Sequence, residues 1–192
     1  MSVTILDEIK QCKICHDHLP LGANPTIQGN KNARILIAGQ APSKTVHLTN
    51  KPFNDASGVR LRSWLNVTSD VFYNPNIFAI VPMAFCYPGK GKSGDLPPPP
   101  ICAQKWRKTL LQYFNKVELT LVIGQYAQQY HFANFTSVTE QTKQWQTQLP
   151  NIIALPHPSP RNRHWLQKNS WFEQDVIPIL QTNTNKIITK IK

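Results

Sequence analysis

Four short apolar segments constrain the fold of this 192-residue chain more than any other feature of its sequence. Each is nearly continuous in Ile, Val and Leu, which is typical of parallel strands that are buried on both faces. The segments are ARILIAG (33–39), IFAIVP (77–82), LTLVIG (119–124) and NIIALP (151–156). Because helix-like stretches separate them, they predict an α/β fold with a central sheet of four parallel strands.

The stretches between these segments predict helices on both faces of the sheet, which gives three layers, α/β/α. They are GVRLRSWLN (58–66), ICAQKWRKTLLQYFNK (101–116) and QYAQQYHFA (125–133). A last helix is predicted within 169–181, where Pro178 must kink it or end it. The length suits one domain over 1–192, with an N-terminal segment at 1–32 and a basic tail at 185–192.

The charge of the chain is strongly unbalanced, with 21 Lys and Arg against 10 Asp and Glu and a net charge of +11. This excess favours a polyanionic partner, and nucleic acid explains it better than a generally basic surface does. The sequence has no apolar run of about 18 residues and no basic-then-apolar leader at its start. We therefore expect a cytoplasmic monomer with no membrane segment.

Four cysteines are the candidate metal ligands: Cys12, Cys15, Cys86 and Cys102. In a cytosolic chain they are expected to be reduced, and C-x-x-C is a metal-ligand spacing. The pattern is unlike a zinc ribbon, which pairs two C-x-x-C knuckles, whereas thiolates from scattered loops suit a 4Fe–4S cluster. The alternatives are a zinc site, with His16 or His18 as a ligand, and ordinary burial of the last two cysteines.

The segment GKGKSGDLPPPP (89–100) is predicted to be an ordered loop, because its Gly and Pro residues exclude a helix or a central strand. Its GKS resembles part of a phosphate-binding P-loop, but position 86 is Cys where that pattern needs Gly. AGQAP, after the first strand, likewise lacks the pattern G-x-G-x-x-G. We therefore expect neither a nucleotide triphosphate nor a dinucleotide as ligand.

The loops QAPSK and HPSPRNR follow the first and last predicted strands, at the edge where open parallel sheets bind ligands. His157 could donate a hydrogen bond to a developing anion, or it could be a surface histidine that caps a turn. Pro158 and Pro160 stiffen the last loop, which could enter a groove and hold a duplex bent. The residues that could grip phosphates are Ser159, Arg161, Asn162 and Arg163.

Asp55 lies in the segment PFNDASG, two residues after Phe53. A carboxylate beside an aromatic side chain could act on a ligand ring that stacks on that side chain and on the carbon atom attached to the ligand ring. The alternative is structural: Asp is a favoured N-cap residue, and a helix is predicted to start near Gly58.

Taken together, these motifs resemble the iron–sulfur branches of the uracil-DNA glycosylase superfamily. The resemblance rests on GQAPS (39–43), PFNDASG (52–58), HPSPRN (157–162) and the order and spacing of the four cysteines. It extends from Cys12 to about Leu180, nearly the whole chain. It implies a four-stranded parallel sheet between helices and a 4Fe–4S cluster held by the four cysteines, which ties the N-terminal segment to the 86–102 loop.

The resemblance also implies roles for single residues. Phe53 would stack on a flipped base, and His157 would stabilise the departing base anion. One branch has Glu where this chain has Gln40, and another uses Asp in a G-D-A-S-G segment, so the carboxylate role falls to Asp55 with Gln40 as a further catalytic candidate. The implied base-binding residues are Gly39, Gln40, Ala41, Pro42, Phe53 and Asn54. The implied DNA-binding residues are Ser43, Lys44, Lys90, Lys92, Pro158, Ser159, Pro160, Arg161, Asn162 and Arg163.

Two positions depart from the family pattern in the expected base pocket. Pro82 stands where an Asn usually reads the uracil edge, and Ser43 replaces the last Gly of the opening motif. The expected function is a DNA glycosylase that removes a deaminated or otherwise modified base, with uracil as the default. The alternative is a non-catalytic DNA-binding module that recognises such bases. The basic charge and the stiff proline loop argue against a nucleoside or nucleotide hydrolase.

Overall fold

The computed structural model describes residues 3–191 and contains the four predicted strands in one parallel sheet. The strands are β1 (Ile35–Ala38), β2 (Phe78–Ile80), β3 (Lys90–Gly91), β4 (Gly94–Asp95), β5 (Leu119–Ile123) and β6 (Ile152–Leu155). The sheet has the order β2-β1-β5-β6 with parallel neighbours throughout. β3 and β4 form a separate antiparallel pair, called the 90–95 hairpin below.

The helices alternate with the strands as the sequence predicts. They are α1 (Ile5–Lys10), α2 (Lys44–Thr49), α3 (Ala56–Leu65), α4 (Ser69–Phe72), α5 (Pro100–Tyr113), α6 (Gly124–His131), α7 (Val138–Lys143), α8 (Trp145–Gln148), α9 (Arg163–Lys168) and α10 (Ile177–Thr189). Within residues 3–191, no helix combines the length and the apolar character that crossing a membrane requires.

The two faces of the sheet pack against different helices. Ile35 and Ile37 of β1 belong to a buried cluster with side chains of α3 and α10. Leu36 and Ala38, which alternate with them, belong to a second cluster with side chains of α1 and α5. All four are fully buried, and burial of each Ile or Leu side chain stabilises the fold by about 1.5–3 kcal/mol. The three-layer α/β/α fold is therefore confirmed.

Pro178, which was predicted to kink or end the last helix, does not end it. Residues Phe172–Val176 form one π-helical segment, and Pro178 occupies the first turn of α10. Just before the proline, the Ile177 N–H donates to the Phe172 carbonyl oxygen five residues earlier, so the regular α-helical pattern is already interrupted where Pro178 lacks an N–H. The chain therefore stays helical through Pro178, and the irregularity precedes the proline.

Part of the segment predicted as a basic tail is packed on the core. Ile187 and Ile188 of α10 are buried, and Lys190 forms an ion pair with Glu118 at 2.9 Å. Lys192 lies outside the described residues.

A buried arginine ties α5 to the end of β2. Arg107 is 1% exposed, and its Nη1 donates to the carbonyl oxygens of Val81 at 2.6 Å and Pro82 at 3.4 Å. Its Nη2 lies 2.7 Å from Nε2 of His131. Burial, followed by the Arg107 charge, lowers the pKa of His131 to about 3. His131 is therefore neutral at ordinary pH, and its ring nitrogen accepts the bond from Arg107.

This histidine predicts a loss of stability in acid. The pKa of His131 is about 3 in the folded state against 6.5 for an unperturbed histidine, so the unfolded chain binds more protons between these values. The free energy of unfolding should be highest above pH 6.5. It should fall as the pH decreases towards 3, by up to about 5 kcal/mol from this group.

Urea unfolding at pH 7, 5.5 and 4.5 measures the effect against a control, His131→Gln. The glutamine can still accept from Arg107 through its amide oxygen but does not titrate. The wild type should lose more stability than this variant over the same pH interval. Parallel stability curves would contradict the assignment.

Candidate active site at the carboxyl edge of the sheet

The loops that follow β1, β2 and β6 enclose a cavity of about 360 Å³ together with the 90–95 hairpin. The cavity therefore lies at the edge of the sheet that the sequence indicated. The predicted site residues that line it are Gly39, Gln40, Ala41, Pro42, Ser43, Phe53, Asp55, His157, Ser159, Arg161 and Asn162. Pro82, at the expected position of a base-reading residue, also lines it.

The backbone of Phe53 is held in an unusual conformation at the cavity. Its φ is 53°, in the left-handed region, and its carbonyl oxygen accepts hydrogen bonds from Arg62 and from the Tyr73 hydroxyl, each at 3.3 Å. A Cβ atom on Gly58 would lie 1.7 Å from this oxygen, so only glycine fits at the start of α3. The Phe53 ring lies beside Gly39, whose added Cβ would meet it at 3.5 Å.

Asp55 lines the cavity and also caps α3. Its Oδ1 accepts the Gly58 N–H at 3.0 Å, and its Oδ2 accepts the Ser43 hydroxyl at 2.8 Å. Ser43 in turn caps α2 by accepting the Val46 N–H at 3.3 Å. Each carboxylate oxygen keeps one further acceptor position. The capping role and the site role that were alternatives in the sequence are therefore compatible in one side chain.

His157 also has a turn contact and a place in the cavity. Its Nδ1 accepts the Ser159 N–H at 3.2 Å, and the ring is partly exposed. Burial lowers the pKa of His157, and the Asp55 charge partly opposes this decrease. The ring is therefore neutral at pH 7. Because Nδ1 accepts, we assign the ring proton to Nε2, which makes that atom a donor.

The loop that begins at His157 is anchored by its neighbours. Asn162 Nδ2 donates to the His157 carbonyl oxygen at 2.7 Å, and Arg60 Nη1 of α3 donates to the Ser159 carbonyl oxygen at 3.0 Å. The sequence did not identify Arg60, since no local motif indicates a contact 99 residues away. Part of the hydrogen-bonding capacity of Asn162, a predicted phosphate contact, is therefore used inside the protein.

The 90–95 hairpin forms a wall of the cavity. It contributes three lining residues that the sequence did not identify: Ser93, Gly94 and Asp95. Arg161 Nη1 donates to the Ser93 carbonyl oxygen at 2.9 Å, and Gln40 Nε2 donates to the Leu96 carbonyl oxygen at 3.4 Å. The available signal was that Asp95 is the only acidic residue of 89–100.

The other predicted contact residues are not among the described residues that line the cavity. These are Lys44, Asn54, Lys90, Lys92, Pro158, Pro160 and Arg163. Pro158 is buried and the others are exposed. Lys44, Lys92 and Arg163 lie next to lining residues in the chain, and Lys90 belongs to the 90–95 hairpin. Their contact with DNA stays a prediction.

The four cysteines line a second cavity, of about 30 Å³, with free and partly buried thiols. Burial raises the pKa of Cys102 to about 12 and that of Cys86 to about 11, and the other cysteines add to both increases. As they stand, no three His, Cys, Asp or Glu side chains of the described residues are grouped closely enough to hold a metal ion. His16 and His18 are exposed and do not line this cavity in the described part of the chain.

Comparison with known protein families gives a match to the Uracil DNA glycosylase superfamily over residues 26–181. The matched region contains the whole sheet, the 90–95 hairpin and the loops that form the larger cavity. It includes Cys86 and Cys102 and begins after Cys12 and Cys15. This family acts on DNA, which supports a glycosylase-type function. Because the match covers most of its length, the chain belongs to the uracil-DNA glycosylase superfamily.

Proposed function

We propose that this protein is a monofunctional DNA glycosylase that removes a deaminated or otherwise modified base, with uracil as the default, and leaves an abasic site. One observation carries the proposal. An aromatic ring, a carboxylate and a neutral imidazole line one cavity: Phe53, Asp55 and His157. Abasic sites of this kind are intermediates of DNA repair by base excision.

The cavity supplies the place for a flipped base. A base inside a duplex is out of reach, and extruding it costs a few kcal/mol. Stacking of a base on an aromatic side chain contributes about 1–3 kcal/mol, so the Phe53 ring offsets much of this cost. The loop 39–43 forms the neighbouring wall of the same cavity.

Hydrolysis then separates the charges of the breaking bond. The bond between sugar C1′ and the base nitrogen breaks, and its electron pair leaves with the base. The negative Asp55 carboxylate, fixed by its bonds to Ser43 and Gly58, stabilises the positive sugar. A water oxygen bonds to C1′ and gives up its proton through Asp55. Gln40 Oε1 is a further acceptor that could orient this water.

His157 stabilises the departing base. Its lowered pKa keeps the ring neutral, and its Nε2–H donates a hydrogen bond to the base anion. The anion then takes a proton from solvent. Burial of a positive imidazolium is thereby avoided, and the donor is in place before the reaction starts.

Removal of either catalytic group should slow cleavage far more than it weakens binding. Asp55→Asn keeps the shape and the helix cap but lacks the charge, and His157→Ala lacks the donor. Each should lower the single-turnover cleavage rate by about 10²–10³-fold while DNA affinity stays nearly unchanged. The substrate is the best base from a panel of oligonucleotides that each carry one altered base, assayed for abasic sites.

Asp70→Asn is the control, because Asp70 is an exposed acid on α4 away from the cavity. It should leave the rate unchanged. Near-wild-type cleavage by Asp55→Asn would leave Asp55 with its capping role alone. If no base of the panel is excised although DNA binds, the non-catalytic module motivated by Gln40 and Pro82 is the better description.

DNA binding should depend strongly on salt. Exposed basic residues next to the cavity would contact phosphates and release counterions, so affinity falls with ionic strength. Arg163→Ala should weaken binding to any sequence and reduce the slope of log affinity against log salt by about one. Arg161→Ala should do the same and also release the hairpin. Fluorescence anisotropy between low and physiological salt measures both effects.

Lys116→Ala is the matched control for these arginines. Lys116 donates to Asn32, just before β1, and so lies at the opposite edge of the sheet. Its removal should change neither the affinity nor the salt slope. If the affinity of the wild type were equal at both salt concentrations, the basic surface would not be a DNA footprint.

We also propose that the four cysteines hold a 4Fe–4S cluster. Two observations support this proposal: all four thiols line one small cavity, around which they would draw together on binding, and thiols with raised pKa values gain from a cation that stabilises their thiolates. The backbone of Asn24 partly offsets the raised pKa of Cys86, and that of Phe85 partly offsets the raised pKa of Cys102, so polar backbone groups near these thiols would tune the bound cluster. When bound, the cluster supplies a rigid link between the N-terminal segment and the 86–102 loop.

Purified protein should therefore be brown and contain iron, with the broad visible absorbance of 4Fe–4S proteins. Cys102→Ser should bleach this absorbance and lower the melting temperature, whereas Gln104→Ser, at an exposed position of the same helix, should change neither. The measurements are visible spectra, iron and zinc analysis, and thermal unfolding. Zinc without iron in anaerobically prepared protein would rule out the cluster.

A further inference from the structure

The wall of the base cavity that β2 supplies has no polar side chain for reading a base. Its lining residues are Ile80 and Pro82. The carbonyl oxygen of Pro82 already accepts from Arg107 at 3.4 Å. Recognition of the base edge must therefore come from other elements of the cavity.

The 90–95 hairpin brings a carboxylate to this cavity on a fixed backbone. Asp95 follows Gly94, where an added Cβ would lie 2.6 Å from Arg161 Nη1. Arg161 thus packs against the hairpin at Gly94, whose φ of 151° favours glycine, and its Nη1 donates to the Ser93 carbonyl oxygen. On the other side of Asp95, Gln40 bonds the carbonyl oxygen of Leu96. The backbone of Asp95 is therefore held on both sides.

The Asp95 carboxylate is free to bind a ligand. Within residues 3–191 its side chain has neither a hydrogen-bond partner nor an ion pair, whereas both oxygens of Asp55 and Nδ1 of His157 are engaged. Burial raises the pKa of Asp95, and the Arg161 charge opposes this increase. An ionised carboxylate only accepts hydrogen bonds, so its partner on the base must be a donor.

Deamination creates such a donor. In cytosine N3 and adenine N1 the ring nitrogen carries a lone pair, whereas uracil N3 and hypoxanthine N1 carry a proton. A carboxylate oxygen opposite this ring nitrogen accepts the proton of uracil or hypoxanthine and repels the lone pair of cytosine or adenine. The amino groups of cytosine and adenine are donors as well, but they lie one position further along the edge, so the selection depends on the oxygen facing the ring nitrogen. The geometry points to Asp95 as the residue that selects deaminated bases by accepting their ring N–H. This inference rests on the proposed glycosylase function.

Thymine and guanine also carry a ring N–H, but they are distinguished before they reach Asp95. They are paired in normal DNA, whereas uracil opposite guanine and hypoxanthine opposite thymine are mismatched. Extrusion is least costly for a mismatched base. Asp95 therefore has to reject cytosine and adenine, the two bases from which the deaminated ones arise.

Binding to uncleavable duplexes tests the role directly. The probes carry 2′-fluoro nucleotides, which resist formation of the sugar cation, with uracil, N3-methyluracil or cytosine at one position opposite the same mismatched partner. Wild-type protein should bind the uracil probe about 10- to 100-fold more tightly than the cytosine probe. Asp95→Ala should reduce this ratio to within about threefold.

Two comparisons show whether Asp95 acts through the N–H. The methyl group of N3-methyluracil removes this donor, so it should weaken binding by the wild type but cause little further loss in Asp95→Ala. Asp95→Asn keeps the volume and adds a donor, so it should improve binding of the cytosine probe. Asp70→Asn, at an exposed site on α4, should keep the wild-type ratio.

The inference is overturned if the wild type does not distinguish uracil from cytosine, or if both Asp95 variants keep the wild-type ratio. Equal weakening on all three probes would assign Asp95 to the shape of the hairpin instead. Because Asp95 is exposed at the surface of the cavity, both variants should fold. Thermal unfolding checks this. Cleavage is not needed for this measurement, so a wild type that excises no base would contradict the proposed reaction and still test Asp95.

Discussion

The hydrogen bond from Ser43 to Asp55 joins the two loops on which the rest of the site depends. Ser43 belongs to the loop after β1 and caps α2, while Asp55 caps α3. The shared bond therefore fixes the start of α3 against the carboxyl end of β1. Phe53 lies between them in the chain, and its left-handed backbone is kept by the absence of a side chain on Gly58. One polar contact thus orders both the carboxylate and the aromatic ring.

Most of the fold could be predicted because the strands are apolar on both faces. That property makes each strand visible in the sequence as a short continuous run, and all four runs became strands of the parallel sheet. The course of the last helix around Pro178 could not be predicted in the same way. A proline breaks a helix interior but starts a helix well, and local sequence does not tell which of these positions Pro178 occupies.

The site residues likewise divide into those that local sequence identifies and those that it does not. Asp55 and His157 were visible because they follow predicted strands or start a predicted helix, so their neighbourhood is a local property of the chain. Arg60 and Asp95 were not, because their places depend on contacts between distant segments. The sequence also posed capping and chemistry as alternatives for Asp55. A carboxylate has about four acceptor sites, and two used bonds leave room for both.

The proposed catalytic residues and the proposed base-selecting residue lie on parts of the fold that are held in place in different ways. Asp55 and His157 are fixed by the sheet and by α3, which are buried and densely packed. Asp95 lies on the two-stranded 90–95 hairpin, and the chain on either side of this hairpin leads to Cys86 and Cys102 in the cysteine cavity. A short isolated hairpin has little stability of its own, so its position depends on what holds its ends and its middle. Arg161 and Gln40 hold the middle, and the proposed cluster would hold the ends. In the proposed function, bond cleavage by Asp55 and His157 would then stay the same while selection of the base varied with the hairpin.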